Sequence, residues 1–357
     1  MNINYRQLIF AREYRGLTQT ELACKIDGLS QSNLSKFEKG VETLSEELIE
    51  KIILFLDFPK GFFSKRISTV IENAHYRKRS GITKKLKTEF EYSTKLVGYI
   101  VDSMAESIQW PEFKLKTFDL EEGFSPEYAA QHTRKMLNLK ADEPVRNIFH
   151  LLEQSGILIV EISADMKFDA VTIQTDEGYP VIILNKHYPN DRKRYNLGHE
   201  LGHLIMHVIG NIAIPESRNN TKQKESEANR FAAEFLMPSE SIRNSLKGLR
   251  LSYLAELKRY WLTSMSSIIR RAKDLDCITE DRYKYLNMEF SRRGFRKNEG
   301  LNVFIDSPVA FYKGYDLHKT DLEYSDKELS DAFCLPQSII EDFCTVKPSN
   351  GKLRLIL

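Results

Sequence analysis

His199-Glu200-Leu201-Gly202-His203 is a short stretch whose residue types and spacing specify a reaction. On a helix, histidines four residues apart stand one turn apart on one face. Both imidazoles can then reach one ion while Glu200 lies beside the remaining coordination position. That is a hydrolytic arrangement, in which a metal polarises the bond and the glutamate moves protons. A catalytic metal needs a third protein ligand and an open position. The run Glu225-Ser226-Glu227-Ala228-Asn229-Arg230-Phe231-Ala232-Ala233-Glu234-Phe235 offers two candidates. Glu225 shares a helix face with Ala228, Asn229, Ala232 and Phe235 or Leu236, mostly small or apolar residues suited to packing, whereas Glu227 shares its face with Arg230, Phe231 and Glu234. The inward face favours Glu225 as ligand, with Asn229 as a hydrogen-bond partner for a ligating imidazole; Glu227 is the alternative. His207 lies eight residues beyond His199, about 12 Å along a straight helix, too far for one ion to hold all three histidines. It is expected to pack or to hydrogen-bond behind the site. Tyr195 and His187 are the candidates for stabilising an oxyanion.

Two helices must position these groups, one from about Arg192 to Val208 and one from about Lys222 to Leu236, closed by Pro238. Leu197, Leu201, Leu204 and Ile205 bury the first, and bare histidines and carboxylates there would be costly without an ion. Upstream, residues 156–162, 171–173 and 179–185 are β-rich apolar runs bounded by turn residues, expected to form one small sheet. Their place just before the helix predicts that Val181 to Asn185 aligns an extended peptide by edge pairing.

A second signal lies near the amino terminus: Leu17-Thr18-Gln19-Thr20-Glu21-Leu22-Ala23, a break at Asp27-Gly28-Leu29, then Ser30 to Gly40. Thr18 and Ser30 are suited to cap helices, Ala23 permits a close helix crossing, and Gly28 permits a tight turn. Residues 1–40 carry six basic and four acidic side chains, so charge alone argues little for DNA here. The stronger argument is the polar run Gln31-Ser32-Asn33, which opens a helix whose buried positions are Leu34 and Phe37.

Two resemblances follow from these residues. Residues from about Asp169 to Pro238, through Ile183-Leu184-Asn185, the HELGH stretch and Phe235-Leu236-Met237-Pro238, resemble the ImmA/IrrE family of metallopeptidases. The resemblance implies a zinc enzyme in which Glu200 is the general base that activates the zinc-bound water and later protonates the leaving amine. Where the family has Phe-Thr-Leu-Ala before the motif, this chain has Tyr195-Asn196-Leu197-Gly198, which leaves the ligands untouched. Residues from about Tyr5 to Phe58 resemble the helix-turn-helix of XRE-family, phage-repressor-like regulators. That implies Gln31, Ser32, Asn33, Ser35 and Lys36 facing the major groove, with Gln19 near the backbone and dimeric half-site recognition.

The chain has 357 residues, long enough for two or three folding units, and 41% are hydrophobic. Its formal net charge of +2 excludes a chain that coats nucleic acid along its whole length. Locally the charge is uneven. Residues 60–87 hold nine Lys/Arg against Glu72 alone, residues 242–297 fourteen against six acids, and residues 301–345 three against nine. The acidic segment is expected to fold back on a basic face, and Arg270 and Arg271 belong either to a second nucleic-acid face or, as favoured, to a helical scaffold. Cys24, Cys277, Cys334 and Cys344 lack metal-knuckle spacing and are expected to be reduced thiols. No run approaches the roughly 18 apolar residues of a membrane span, so a cytoplasmic protein without membrane partners is expected.

The expected fold is multidomain: an all-α helix-turn-helix bundle, an α+β zincin-like metallopeptidase domain and a mostly helical C-terminal extension. The expected boundaries are 1–65 for DNA binding, 66–110 for a basic linker and helix, 111–240 for the peptidase and 241–357 for the extension with its acidic tail. The expected function is a regulator that binds a double-stranded DNA operator and cleaves a repressor-type protein under stress or mobile-element control. The alternatives are a transcription factor or an antitoxin whose zinc site is structural or sensory.

Overall fold

The computed structural model describes residues 3–65, 75–76, 83–207 and 221–345. The chain begins with helices α1 (Tyr5–Tyr14), α2 (Gln19–Lys25), α3 (Gln31–Glu38) and α4 (Glu46–Leu56), then strand β1 (His75–Tyr76) and the long helix α5 (Lys84–Ala105). Next come α6 (Pro126–Met136), α7 (Ile148–Gln154), β2 (Leu158–Ile162), β3 (Ala170–Gln174), β4 (Pro180–Asn185), α8 (Asn190–Met206) and α9 (Thr221–Leu236). They are followed by α10 (Ser239–Leu246), α11 (Leu251–Trp261), α12 (Met265–Asp274), α13 (Glu280–Arg292), α14 (Ala310–Thr320), α15 (Asp326–Phe333) and α16 (Gln337–Cys344). Among the described residues, no helix is long and apolar enough to cross a membrane.

The described residues gather into two compact units, one of 3–65, 83–109 and 310–345 and the other of 75–76, 110–207 and 221–309. In the first, local rules set the helix ends. Thr18 and Glu21 cap α2 reciprocally, with Glu21 N to Thr18 Oγ1 at 3.2 Å and Thr18 N to Glu21 Oε2 at 2.7 Å. Ser30 Oγ accepts from Asn33 N at 3.1 Å to start α3, and Gly28 takes φ +85° in the turn between the two helices. Leu8, Ala11, Leu22, Leu34, Ile52 and Leu56 fill the core beneath them. Arg12 and Glu38, both buried, pair at 2.6 Å across α1 and α3.

The stretch read from sequence as a basic linker falls partly outside the described residues, Arg66, Arg77, Lys78 and Arg79 among them. Helix α5 is integral to the first unit. Its Tyr92 hydroxyl donates to Glu13 at 2.8 Å and its ring meets Phe10 edge-on at 4.5 Å. Leu96, Val97, Ile100, Val101 and Met104 make its apolar stripe at helical spacing. Residues 310–345 belong to this unit as well, whereas 241–309 stay with the sheet, so the stretch read as one C-terminal extension divides at about Val309. Helices α14 and α15 contact α5, and α16 contacts both of them. Phe311, Leu329, Phe333, Ile339 and Phe343 are buried there, and Tyr99 Oη donates to Phe333 O at 2.8 Å. Apolar faces therefore organise the acidic segment, and its net charge stays on the opposite sides of the helices.

The second unit is built on a sheet in the order β1-β3-β4-β2. Strand β4 pairs antiparallel with β3 and parallel with β2, so both of its edges are taken and all six of its residues are buried. The edge pairing expected for Val181 to Asn185 is thereby ruled out: a strand with partners on both sides has no ladder left to offer a peptide. Helix α8 packs on β3 and β4, and α9 packs on α8 and α6. Arg194, fully buried, donates to the carbonyls of Val145, Arg146 and Leu262, tying α8 to the segments before α7 and after α11. Gly156 (φ +83°) passes so close to the chain that a Cβ there would lie 2.1 Å from Glu112 O. On α12, Arg271 is buried against Glu234 of α9 while Arg270 pairs with Asp274 at 2.8 Å. A nucleic-acid face through Arg271 is therefore not formed.

Because α14–α16 cover apolar surface of α5, deleting residues 310–357 should lower the unfolding midpoint of the first unit by roughly 10 °C or more in calorimetry. The second unit's transition should stay put. An unchanged first transition would show that these helices contribute nothing to that core.

Candidate functional site

Helix α8 presents two stripes at the same spacing. His199 and His203 form one; Gly198 and Gly202, each one residue earlier, form the other about 100° around the axis. The glycine stripe meets α9. A Cβ on Gly198 would lie 3.5 Å from Leu236, and one on Gly202 would lie 3.1 Å from Phe231. This close approach brings Glu225, in the second turn of α9, up to the histidines. His199 Nε2 and His203 Nε2 are 3.2 Å apart, and the Glu225 carboxylate lies 3.5 Å from the first and 3.3 Å from the second. The three ligand atoms all fall within 4.8 Å of one another. Two imidazole nitrogens and one carboxylate oxygen converging on a point, with no fourth donor in the group among the described residues, suit a borderline divalent cation with a position left open. Burial raises the Glu225 pKa, but the two imidazoles outweigh it and hold the carboxyl well below its usual range.

Glu200 is buried on the same turn, and its Oε2 accepts from Thr172 Oγ1 of β3 at 2.8 Å. Burial pushes its carboxyl up to about 7, against the pull of His199 and the Thr172 hydrogen bond. A cation held next to it would draw this value down again. Thr172 is the residue that sequence reasoning missed. The strand Val171-Thr172-Ile173 was legible, yet only the signal of a hydroxyl inside an apolar strand hinted at a polar partner beneath it.

The remaining candidates take these places. Glu227 is turned away from the ligand group, with its Oε2 3.0 Å from His207 Nε2. His207 caps the end of α8 and sets its Nδ1 2.9 Å from His203 Nδ1. Burial lowers the His207 pKa, only partly offset by Glu227. Asn229 differs from expectation. Its Oδ1 accepts from Tyr195 Oη at 2.8 Å and its Nδ2 donates to Glu225 O at 2.6 Å, so it steadies the Glu225 turn and engages no imidazole through these bonds. Tyr195 is thus engaged with α9, and His187 is exposed in the turn after β4.

In the first unit, α3 shows Gln31, Ser32, Asn33 and Lys36 exposed, with Ser35 half-buried and Leu34 and Phe37 turned inward. Gln31 Nε2 donates to Gln19 Oε1 at 2.9 Å, and Gln19 Nε2 donates to Glu38 Oε2 at 2.6 Å. Buried Arg12 holds Glu38 from the other side. The result is a polar helix start presented to solvent, suited to a DNA groove. Lys36 pairs with Glu42 at 2.8 Å at the exposed end.

Two family models match parts of the chain. Residues 8–63 match a helix-turn-helix family model, and residues 152–273 match the model of the IrrE N-terminal-like domain, a peptidase family. No curated protein matches the chain.

If the glycine stripe sets the geometry of the group, Gly202→Val should force Phe231 aside, cost about 1–3 kcal/mol of stability and weaken divalent-metal binding in a dye-competition titration. Gly202→Ala should do less of both. Wild-type metal affinity in a folded Gly202→Val protein would separate helix spacing from metal binding.

Proposed function

From a chain that joins an XRE-type helix-turn-helix to an ImmA/IrrE-type metallopeptidase-like domain, we propose a DNA-binding regulator that is also a zinc-dependent endopeptidase. The observation that carries the reading is the convergence of His199, His203 and Glu225 beside a buried, unliganding glutamate, Glu200. When bound, zinc supplies Lewis acidity, polarising the scissile carbonyl and acidifying water. The protein's own groups do the rest. His199 and His203 present their Nε2 atoms and Glu225 its carboxylate as ligands. Glu200, one residue from a ligand and anchored through Thr172, takes a proton from the attacking water and delivers it to the leaving amine. Its burial keeps competing solvent from the carboxylate and, in the metal-free protein, raises its affinity for a proton.

The substrate we infer is a regulatory protein of repressor type, cleaved under stress or mobile-element control, and the DNA partner is a double-stranded operator read by α3. Gln31, Ser32, Asn33, Ser35 and Lys36 would meet base edges and Gln19 the backbone. A two-fold operator would call for a homodimer, and the site of action would be the cytoplasm. Joining both modules in one chain couples cleavage to operator occupancy.

Glu200→Ala should retain zinc by elemental analysis and yet lose proteolysis, so that the cleaved protein accumulates when the variant's proteome is compared with wild type. A proteome indifferent to Glu200→Ala favours a sensory or structural metal instead. Glu225→Ala should lower zinc content; loss on Glu227→Ala with retention on Glu225→Ala would overturn the ligand assignment.

Replacing Gln31 and Asn33 by alanine should weaken operator binding by about 1–3 kcal/mol for each lost base contact. Binding to unrelated DNA should hardly change. Equal losses on both would place these side chains on phosphates and not on bases.

A further inference from the structure

The ligand set leaves a feature behind it unused. His203 Nδ1, the nitrogen facing away from Glu225, lies 2.9 Å from His207 Nδ1, and His207 Nε2 lies 3.0 Å from Glu227 Oε2. All three groups are largely enclosed, with side-chain exposures of 1% for His203, 4% for His207 and 15% for Glu227. The companion His199 differs: its Nδ1 is buried with no hydrogen-bond partner among the described residues. We propose that Glu227 and His207 are positioning residues, a two-link relay that holds His203 in the one tautomer able to bind a metal through Nε2. The proposal rests on the reading of His199, His203 and Glu225 as metal ligands.

The argument is a count of hydrogens. A neutral imidazole has one N–H and one lone pair, so each contact in the line needs a donor on one side and an acceptor on the other. Glu227, as a carboxylate, only accepts, which places the hydrogen of neutral His207 on Nε2. His207 Nδ1 is then a lone pair and only accepts, which places the hydrogen of His203 on Nδ1. The lone pair of His203 is left on Nε2, the atom 3.3 Å from Glu225 Oε1 and 3.2 Å from His199 Nε2. Reversing either ring sets a lone pair of His207 against the carboxylate, or two N–H groups or two lone pairs against each other between the rings. The order of protons is therefore imposed from the Glu227 end, before an ion arrives. A histidine ligand in a metal site commonly donates its other N–H to a carboxylate or carbonyl. Here the carboxylate acts through a second imidazole, which gives the alternative glutamate of α9 a place behind the site, outside the ligand group.

The test uses the full chain, with zinc alone as probe. Competition titrations compare wild type with His207→Leu, His207→Gln, Glu227→Ala and Glu227→Gln, each checked for an unchanged melting temperature. His207→Leu and Glu227→Ala should weaken zinc binding about 10- to 100-fold. His207→Gln should recover much of it, since its carbonyl accepts and its amide donates, and Glu227→Gln should fall between. A second readout is the imidazole nitrogen spectrum of the metal-free protein. It should show His203 protonated on Nδ1 and His207 on Nε2 in wild type, and Glu227→Ala should move the His203 proton toward Nε2. Wild-type zinc affinity in Glu227→Ala together with an unmoved His203 tautomer overturns the relay while leaving the metal site standing. A wild-type chain that takes up no zinc overturns the metal site itself, and the relay with it.

Discussion

The close contact of α8 with α9 is the constraint on which the second unit depends. Two histidines on one helix are brought together by helical geometry alone, but Glu225 arrives on another element, and its distance is set by how near two helix backbones can come. Ordinary pairs stand about 8–10 Å apart, as their side chains dictate. Gly198 and Gly202 remove those side chains along the line where Leu236 and Phe231 press in. The repeat that aligns the glycines also aligns the histidines one residue later, so one periodicity serves the packing and the convergence of the histidines with Glu225 at once. A chain with larger residues at 198 and 202 would keep its HExxH motif and lose the reach of Glu225.

This packing buries charge, and the unit is arranged to compensate it. Glu234 of α9, 1% exposed, is met by Arg271, Gln131 and Ser239. Lys258, equally buried, sits 2.7 Å from Asp191 and 2.6 Å from Glu299. Isolated ions in such places would be untenable, and pairs with further hydrogen bonds are tolerated. They also alter the meaning of the charge arithmetic. Part of the basic excess between residues 242 and 297 consists of Lys258 and Arg271, whose charges are spent inside the protein. A formal count treats them as surface, which is why a second nucleic-acid face suggested itself there.

What could be read from the sequence follows the range of the interactions. The HELGH stretch, the caps Thr18 and Ser30, and the exposed start of α3 all depend on residues within a turn or two of one another, and each was legible. Glu225 needed a face argument, and the outcome is subtler than the argument: Phe231 and Glu234, assigned to the outward face, are buried as well, because α6, α8 and α12 residues enclose α9 from several sides. Strand order depends on contacts that no local pattern encodes. Val181 to Asn185 read as a good strand, and nothing in its residues distinguished an edge from an interior place. Thr172 and the placement of residues 310–345 with α5 share that cause, since their partners lie 28 and more than 200 positions away in the chain.

Both units answer one physical problem with a similar arrangement. A side chain that must act on a ligand has to be exposed at its tip and fixed at its base, and long polar side chains lose entropy when fixed. In the first unit the fixing is a line of hydrogen bonds from buried Arg12 through Glu38 and Gln19 to Gln31 at the solvent edge. In the second, Thr172 holds Glu200 from the sheet and Asn229 braces the Glu225 turn through Tyr195. Each line starts from a group whose own position is fixed by packing, so the order it imparts does not wait for the ligand. Preorganisation of this kind spares part of the cost of binding and keeps donors and acceptors aimed where charge will appear. It also predicts where a harmful substitution need not touch any ligand: Arg12, Thr172 and Asn229 lie one layer behind the groups presented at the two candidate sites, and the geometry of those groups is only as firm as that layer.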